Sequence, residues 1–180
     1  MSMVSPLYNA IFEGDCDRID ALLAGSDVNM RTKEEHWNLL HIALEGITYA
    51  PNPDVIRYLI YRAVDVNAKD WHRWTPLHYA ARTKSPAADP SLSTACVKLL
   101  IDAGADVNAE DDEGVTPMHR SVLQYPWNVE MIETMLASGA KKTDMFCSLM
   151  NAVAGPDKET VLALLTKYQQ EGRKKGDAAL

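Results

Sequence analysis

A chain of 180 residues, 47% of them hydrophobic, can bury a core, which argues against wholesale disorder and suits one compact domain or one short repeat array. The formal charge of −7 is unevenly spread: the closing "GRKKGDAAL" carries three basic groups and one acid, a net +2, so the body ahead of it carries −9. An acidic body speaks against generic phosphate-backbone binding, which needs clustered Lys and Arg, and is compatible with a basic protein partner.

The opening "MSMVSPLYNAIFEGD" has no basic start followed by an apolar core, so it does not read as a signal peptide. No run approaches the roughly 18 apolar residues of a membrane-spanning helix. Cys16, Cys96 and Cys147 are an odd number with no close pair, so no disulfide framework or zinc spacing can be drawn. Reduced thiols and a cytoplasmic location are expected.

Further along the chain two phrases alternate. In order they are "ALLAGSDVNMR" (21–31), "WNLLHIAL" (37–44), "YLIYRAVDVNAKD" (58–70), "WTPLHYAA" (74–81), "KLLIDAGADVNAED" (98–111), "VTPMHRSV" (115–122) and a decayed "TMLASGAKKTD" (134–144). Each "TPLH" phrase precedes an apolar segment ending in "GADVNA". This pairing resembles the ankyrin repeat, a β-turn finger followed by two antiparallel helices, and the resemblance covers roughly residues 3 to 169. It implies an all-α repeat solenoid, elongated and curved. The units fall at roughly 3–31, 32–69, 70–109, 110–141 and 142–169, with atypical caps at both ends and a basic, disordered tail over 170–180.

First helices are expected near Ser5, Asn38, Thr75, Thr116 and Ser148, and second helices carry Ile19, Ile56, Val97, Ile132 and Val161 at equivalent places. Leu7 to Ile19 spans 12 residues, whereas Leu40 to Ile56, Leu77 to Val97 and Met118 to Ile132 span 16, 20 and 14. The central units therefore carry insertions between their helices, at 48–54, 83–94 and 124–128, expected as proline-rich loops. Thr75 and Thr116 read as helix caps, with Pro76 and Pro117 in the first turn, where a missing N–H costs nothing. Leu77, Val97 and Leu100 form an apolar stripe, and Ala80 and Ala81 let helices approach closely. Gly104 and Gly139 end helices in a left-handed turn, and the Asp65/Asn67 and Asp106/Asn108 pairs suit the tight turn that follows. His36 and Arg73 stand where the family has a turn glycine, Ala63 where it has a helix-ending glycine, and Lys33 where it has the finger aspartate of Asp70 and Asp111. Each non-glycine there costs up to about 1 kcal/mol if its backbone is left-handed.

The resemblance also implies that fingers and first helices line a partner-binding groove. Its variable positions fall on Glu34, Glu35 and Trp37, on Trp71, His72 and Trp74, and on Asp112, Glu113 and Val115, with Glu45 and Arg82 on first helices. Trp37, Trp74 and Val115 share one repeat position and form a row. Large rigid rings and Arg favour interface centres, so an aromatic row with an acidic rim is a candidate hot spot. The alternative is that the rings fold down on neighbouring fingers and only stabilise the turns. The recurring His41, His78 and His119 are expected to hydrogen-bond neighbouring turns. No metal or cofactor site is expected, because no ligand spacing accompanies the histidines. There is no phosphate loop, G-x-S-x-G, H-E-x-x-H or C-x-x-C, so no enzymatic activity is expected. The favoured reading is a non-enzymatic module that holds a specific, basic protein partner, without nucleic acid or membrane. Being nearly all repeat, it would act by occupancy, as inhibitor, adaptor or chaperone, and as a monomer. A toxin-neutralising protein and an assembly protein that self-associates through its aromatic fingers are the alternatives.

Overall fold

The computed structural model describes residues 4–45, 50–82, 89–123, 127–141 and 156–177. Among them are nine α-helices and no strand: α1 Val4–Glu13, α2 Cys16–Leu23, α3 Leu39–Glu45, α4 Pro53–Tyr61, α5 Pro76–Ala81, α6 Pro90–Asp102, α7 Pro117–Arg120, α8 Val129–Ala137 and α9 Pro156–Asp177. The first helices α1, α3, α5 and α7 pack in sequence order, and so do the second helices α4, α6, α8 and α9. A six-residue helix such as α5 is too short to be stable alone, so these helices exist by packing one pair against the next. The architecture is the all-α repeat solenoid that the alternating phrases imply. Ile19, Ile56, Val97, Ile132 and Val161, the five equivalent positions of the second helices, are each 0% exposed.

The start of each middle unit is fixed by one device. Thr75 and Thr116 have extended backbones, with Pro76 and Pro117 in the first helical turn. The Thr75 N–H donates to Nδ1 of His78 at 3.0 Å, and the Thr116 N–H to Nδ1 of His119 at 2.7 Å. Asn38 takes this place in the second unit, its N–H donating to Nδ1 of His41 at 3.2 Å. Because Nδ1 accepts a backbone N–H, the ring proton sits on Nε2. From there His41 donates to the Trp74 carbonyl and His78 to the Val115 carbonyl, both at 3.0 Å. Burial lowers both imidazoles to about 4, so they are neutral hooks between units, as the repeating slot implies.

The three departures from glycine all fall in left-handed backbone: His36 at φ 62°, Ala63 at φ 60° and Arg73 at φ 61°. Gly104 and Gly139, in the same turn as Ala63 one and two units on, sit at φ 91°.

Two expectations need correction. Much of the long insertion is not loop: Pro90 opens α6, so residues 90–94 are a helical extension capped by Asp89, whose Oδ1 accepts the Ser91 N–H at 2.9 Å. Likewise Pro53 opens α4 under the Asn52 cap. Proline here starts a helix rather than interrupting one, since its fixed φ suits the first turn. The segments 46–49, 83–88 and 124–126 lie outside the described residues. The second correction concerns the tail, where α9 continues through residues 170–177. Nothing after Pro156 breaks its run of Leu, Lys, Gln, Glu and Ala before the glycines at 172 and 176, which cost a helix only about 1 kcal/mol each. The first helix expected near Ser148 also lies outside the described residues.

Candidate functional site

The fingers are held from within by an aspartate. Asp70 Oδ1 accepts the N–H groups of His72 (2.9 Å) and Trp74 (2.8 Å), and Asp111 Oδ1 those of Glu113 and Val115 (both 2.9 Å). In each unit the second carboxylate oxygen takes a donor from the first helix. It is the Tyr79 hydroxyl at 2.7 Å in one unit, and the Arg120 guanidinium at 2.5 Å, at the matching position, in the next. Burial alone would raise the Asp111 carboxyl, but the donors from Val115, Arg120 and Glu113 outweigh it and hold it below the usual range. In the second unit both halves of this device are replaced together: Lys33 stands at the aspartate position and Ile42 at the donor position. There the Thr32 hydroxyl oxygen accepts the Trp37 N–H instead, at 3.0 Å.

The aromatic row is bound into this scaffold. The Trp37 indole N–H donates to the Tyr79 hydroxyl oxygen at 3.0 Å, with the two rings edge to face at 6.0 Å. Trp74 meets Tyr79 at 5.2 Å and stacks on His78 at 6.3 Å. The Arg120 guanidinium lies 3.8 Å from the Trp74 ring centre, and Arg82 lies 5.9 Å from it. Arg82 also reaches Glu45 at 3.5 Å. Tyr79 is thus a hub, and burial followed by its bond to Asp70 pushes its phenol well up. Trp37 and Trp74 are half-buried, and Val115 is buried at 7% exposure. Trp71 differs: it is 59% exposed, with the His36 ring 4.7 Å away. The residues expected at the partner face therefore divide. Glu34, Glu35, Trp71, His72, Asp112 and Glu113 are exposed at the fingertips. Trp37, Trp74, Glu45 and Arg82 are half-buried in the aromatic and ionic cluster behind them. Val115, placed in the row by its repeat position, is withdrawn from it, because a short aliphatic side chain there packs inward.

Sequence reasoning passed over Tyr79 and Arg120, although both follow the "TPLH" histidine directly and so share one repeat position. It also treated Asn67 and Asn108 as local turn residues. Each instead spans to the next unit: the Asn67 carboxamide donates to the Gly104 carbonyl (3.0 Å) and accepts from the Asp106 N–H (2.8 Å), and Asn108 does the same with Gly139 and Lys141 (3.1 and 2.8 Å). Trp127, inside an expected loop, is buried, and its indole N–H donates to the Val122 carbonyl at 3.2 Å. Among the described residues no group of His, Cys, Asp and Glu is arranged to hold a metal ion, and no helix is long and apolar enough to cross a membrane. Cys96 is buried, which pushes its thiol up to about 12 and keeps it protonated; Cys147 lies outside the described residues.

Stacked helix pairs with fingers hooked to one another by His and Asn define a repeat array. Residues 7–111 match the family model of ankyrin repeats in three copies, and the chain belongs to the ankyrin repeat family. Ankyrin repeats are protein–protein interaction modules, in general without enzymatic activity. Among curated proteins the chain is similar to the RelA-associated inhibitor of Mus musculus, 30% identical over 92 residues, which are 51% of this chain and 10% of that protein. It is also similar to an ankyrin repeat protein of fowlpox virus (strain NVSL), 36% identical over 115 residues, 61% of this chain and 15% of that one.

Proposed function

We infer that the chain holds one specific protein partner with a basic surface on its fingertip face, and acts by occupying that partner as inhibitor, adaptor or chaperone. The observation that carries this is Trp71. A ring left 59% exposed in a turn is costly in water, unlike its half-buried neighbours Trp37 and Trp74. Around it the exposed charged residues of three fingers are Lys33, Glu34, Glu35, Arg73, Asp112 and Glu113, four acids against two bases. Arg73 is also offset by Asp112, 4.0 Å away. An aromatic anchor inside an acidic rim suits a basic partner: the rim steers the encounter and the anchor supplies the desolvated contact. The name of the mouse relative, an inhibitor, agrees with action by occupancy.

The test is capture from the extract of the source cells by the wild-type chain, by Trp71→Ala and by Glu34→Lys/Glu113→Lys. The expected result is one captured protein, lost with both variants and weakened by salt, while thermal midpoints move by no more than a degree or two. Retention of that protein by both variants would refute the reading.

A further inference from the structure

Two kinds of rung tie each finger to the next. An Asn carboxamide donates to the carbonyl of the left-handed residue in the following turn and accepts the N–H two residues beyond. Asn29 does so with Ala63 and Asp65 (3.3 and 2.8 Å), as do Asn67 and Asn108 further on. A fingertip carbonyl accepts the second rung: Glu35 from the Trp71 N–H (3.3 Å) and His72 from the Asp112 N–H (3.2 Å). Where the first unit passes into the second finger, the groups equivalent to these acceptors and donors are the Gly25 carbonyl, the Asp27 N–H and the Glu34 N–H. All three belong to exposed residues, and among the described residues none of the three groups has a partner. Beside them lies a groove of about 830 Å³, bounded by the starts of α1 and α3, the end of α2 and the finger itself. Its apolar lining includes Pro6, Leu7, Leu22, Met30 and Trp37, of which Leu22 is 38% exposed.

We propose that this end face is a second docking surface, which adjoins the fingertips at Glu34 and Glu35 but does not include Trp71, and which takes the asparagine-bearing turn of a repeat belonging to another ankyrin-type array. The ladder states the chemistry of the occupant. The group that completes it must donate to the Gly25 carbonyl and accept from the Asp27 N–H at once. At each of the three rungs within the chain an Asn carboxamide does both, where a carboxylate could not donate and an ammonium could not accept, so the group of the same geometry is a carboxamide. A carbonyl of the same turn takes the Glu34 N–H, and apolar side chains beneath it fill the groove. The turn must come on a stacked array, since a single unit cannot bury its own faces. The inter-unit contact already repeated three times along the chain is thereby continued by one more step.

Isothermal titration of the full chain with an idealised three-unit ankyrin array tests this, one probe ending in an Asp-Val-Asn turn and a second carrying Ala for that Asn. The asparagine probe binds saturably, and the alanine probe binds about tenfold more weakly or worse, as expected for two lost hydrogen bonds. Leu22→Glu, at an exposed position, abolishes binding with its thermal midpoint unchanged, whereas Trp71→Ala leaves it intact, which separates this face from the fingertip reading. Equal binding of both probes, or no saturation by the asparagine probe below about 1 mM, overturns the proposal. So does self-association of the chain that Leu22→Glu removes, which would assign the face to a second copy.

Discussion

Ala63→Gly should stabilise the protein, and the amount can be worked from the backbone. Ala63 is exposed, sits at φ 60° and occupies the turn position that Gly104 and Gly139 fill at φ 91°. A Cβ in left-handed backbone costs about 1–2 kcal/mol. Glycine removes that cost but makes the unfolded chain looser, which returns about 0.4–1 kcal/mol. The net gain is about 0.5–1 kcal/mol, or roughly 2 °C in the thermal midpoint of a chain this size. The carbonyl that accepts the Asn29 carboxamide is unchanged. Arg73→Gly should gain about as much, since it gives up only an exposed pair with Asp112 at 4.0 Å, of little worth. His36→Gly should come out near neutral, because the same backbone relief is offset by losing the contact with the Trp71 ring, worth about 0.5–1 kcal/mol. Conversely Gly104→Ala should lose about 1 kcal/mol through backbone alone, as no atom lies within 4 Å of where its Cβ would go. Urea titration followed by far-ultraviolet circular dichroism reads all four. A destabilised Ala63→Gly, or a His36→Gly that gains as much as it does, would refute the reasoning.

Asn67→Ala removes both bonds to the following turn and should cost about 1–2 kcal/mol, with faster hydrogen exchange at the Asp106 N–H; unchanged exchange there would show that the rung is not closed in solution. His41 and His78 set a pH dependence. Their unfolded value is near 6.5 and their folded value about 4, so the unfolded chain takes up protons first. Stability is full above pH 6.5 and falls as pH drops towards 4, by about 3 kcal/mol for each histidine at about 1.4 kcal/mol per pH unit. His41→Gln should flatten its share of that slope in denaturation midpoints taken between pH 7 and 4. Arg120→Met leaves the Asp111 carboxylate, whose side chain is 1% exposed, with only its backbone donors, at a cost of about 3 kcal/mol. Adding Asp111→Asn should recover part of that loss, and a further drop in the double variant would count against a buried charge as the cause.

The repeat was legible because its residues answer to local rules: proline in a first turn, histidine three residues after the cap, glycine after the second helix. Those constraints leave their mark at fixed spacing even where one of them is broken, which is why Ala63, His36 and Arg73 are recognisable as standing at glycine positions of the repeat, and all three have left-handed backbone. The ends of the insertions were less legible. A proline reads equally as a loop residue or as the first residue of a helix, and the choice rests on the cap before it, Asn52 or Asp89. Trp127 could not be read at all as a buried residue, because nothing local to "QYPWN" says that its indole reaches back to Val122.

The fingertip row shows the same limit more sharply. Repeat position places Trp37, Trp74 and Val115 in register, but exposure depends on what the next unit presents to each. Tyr79 accepts the Trp37 N–H and Arg120 covers the Trp74 ring, and both lie on helices whose neighbours in sequence are ordinary core residues. The same two side chains also satisfy the aspartates that hold the third and fourth fingers. The half-buried rings are therefore coupled to the turn geometry, and removing Trp74 would loosen the finger along with any contact it makes. Trp71, one residue past Asp70 and outside that network, carries no such double duty. Its ring meets the preceding finger at His36, a contact worth only about 0.5–1 kcal/mol, so Trp71→Ala can test binding at little cost to folding.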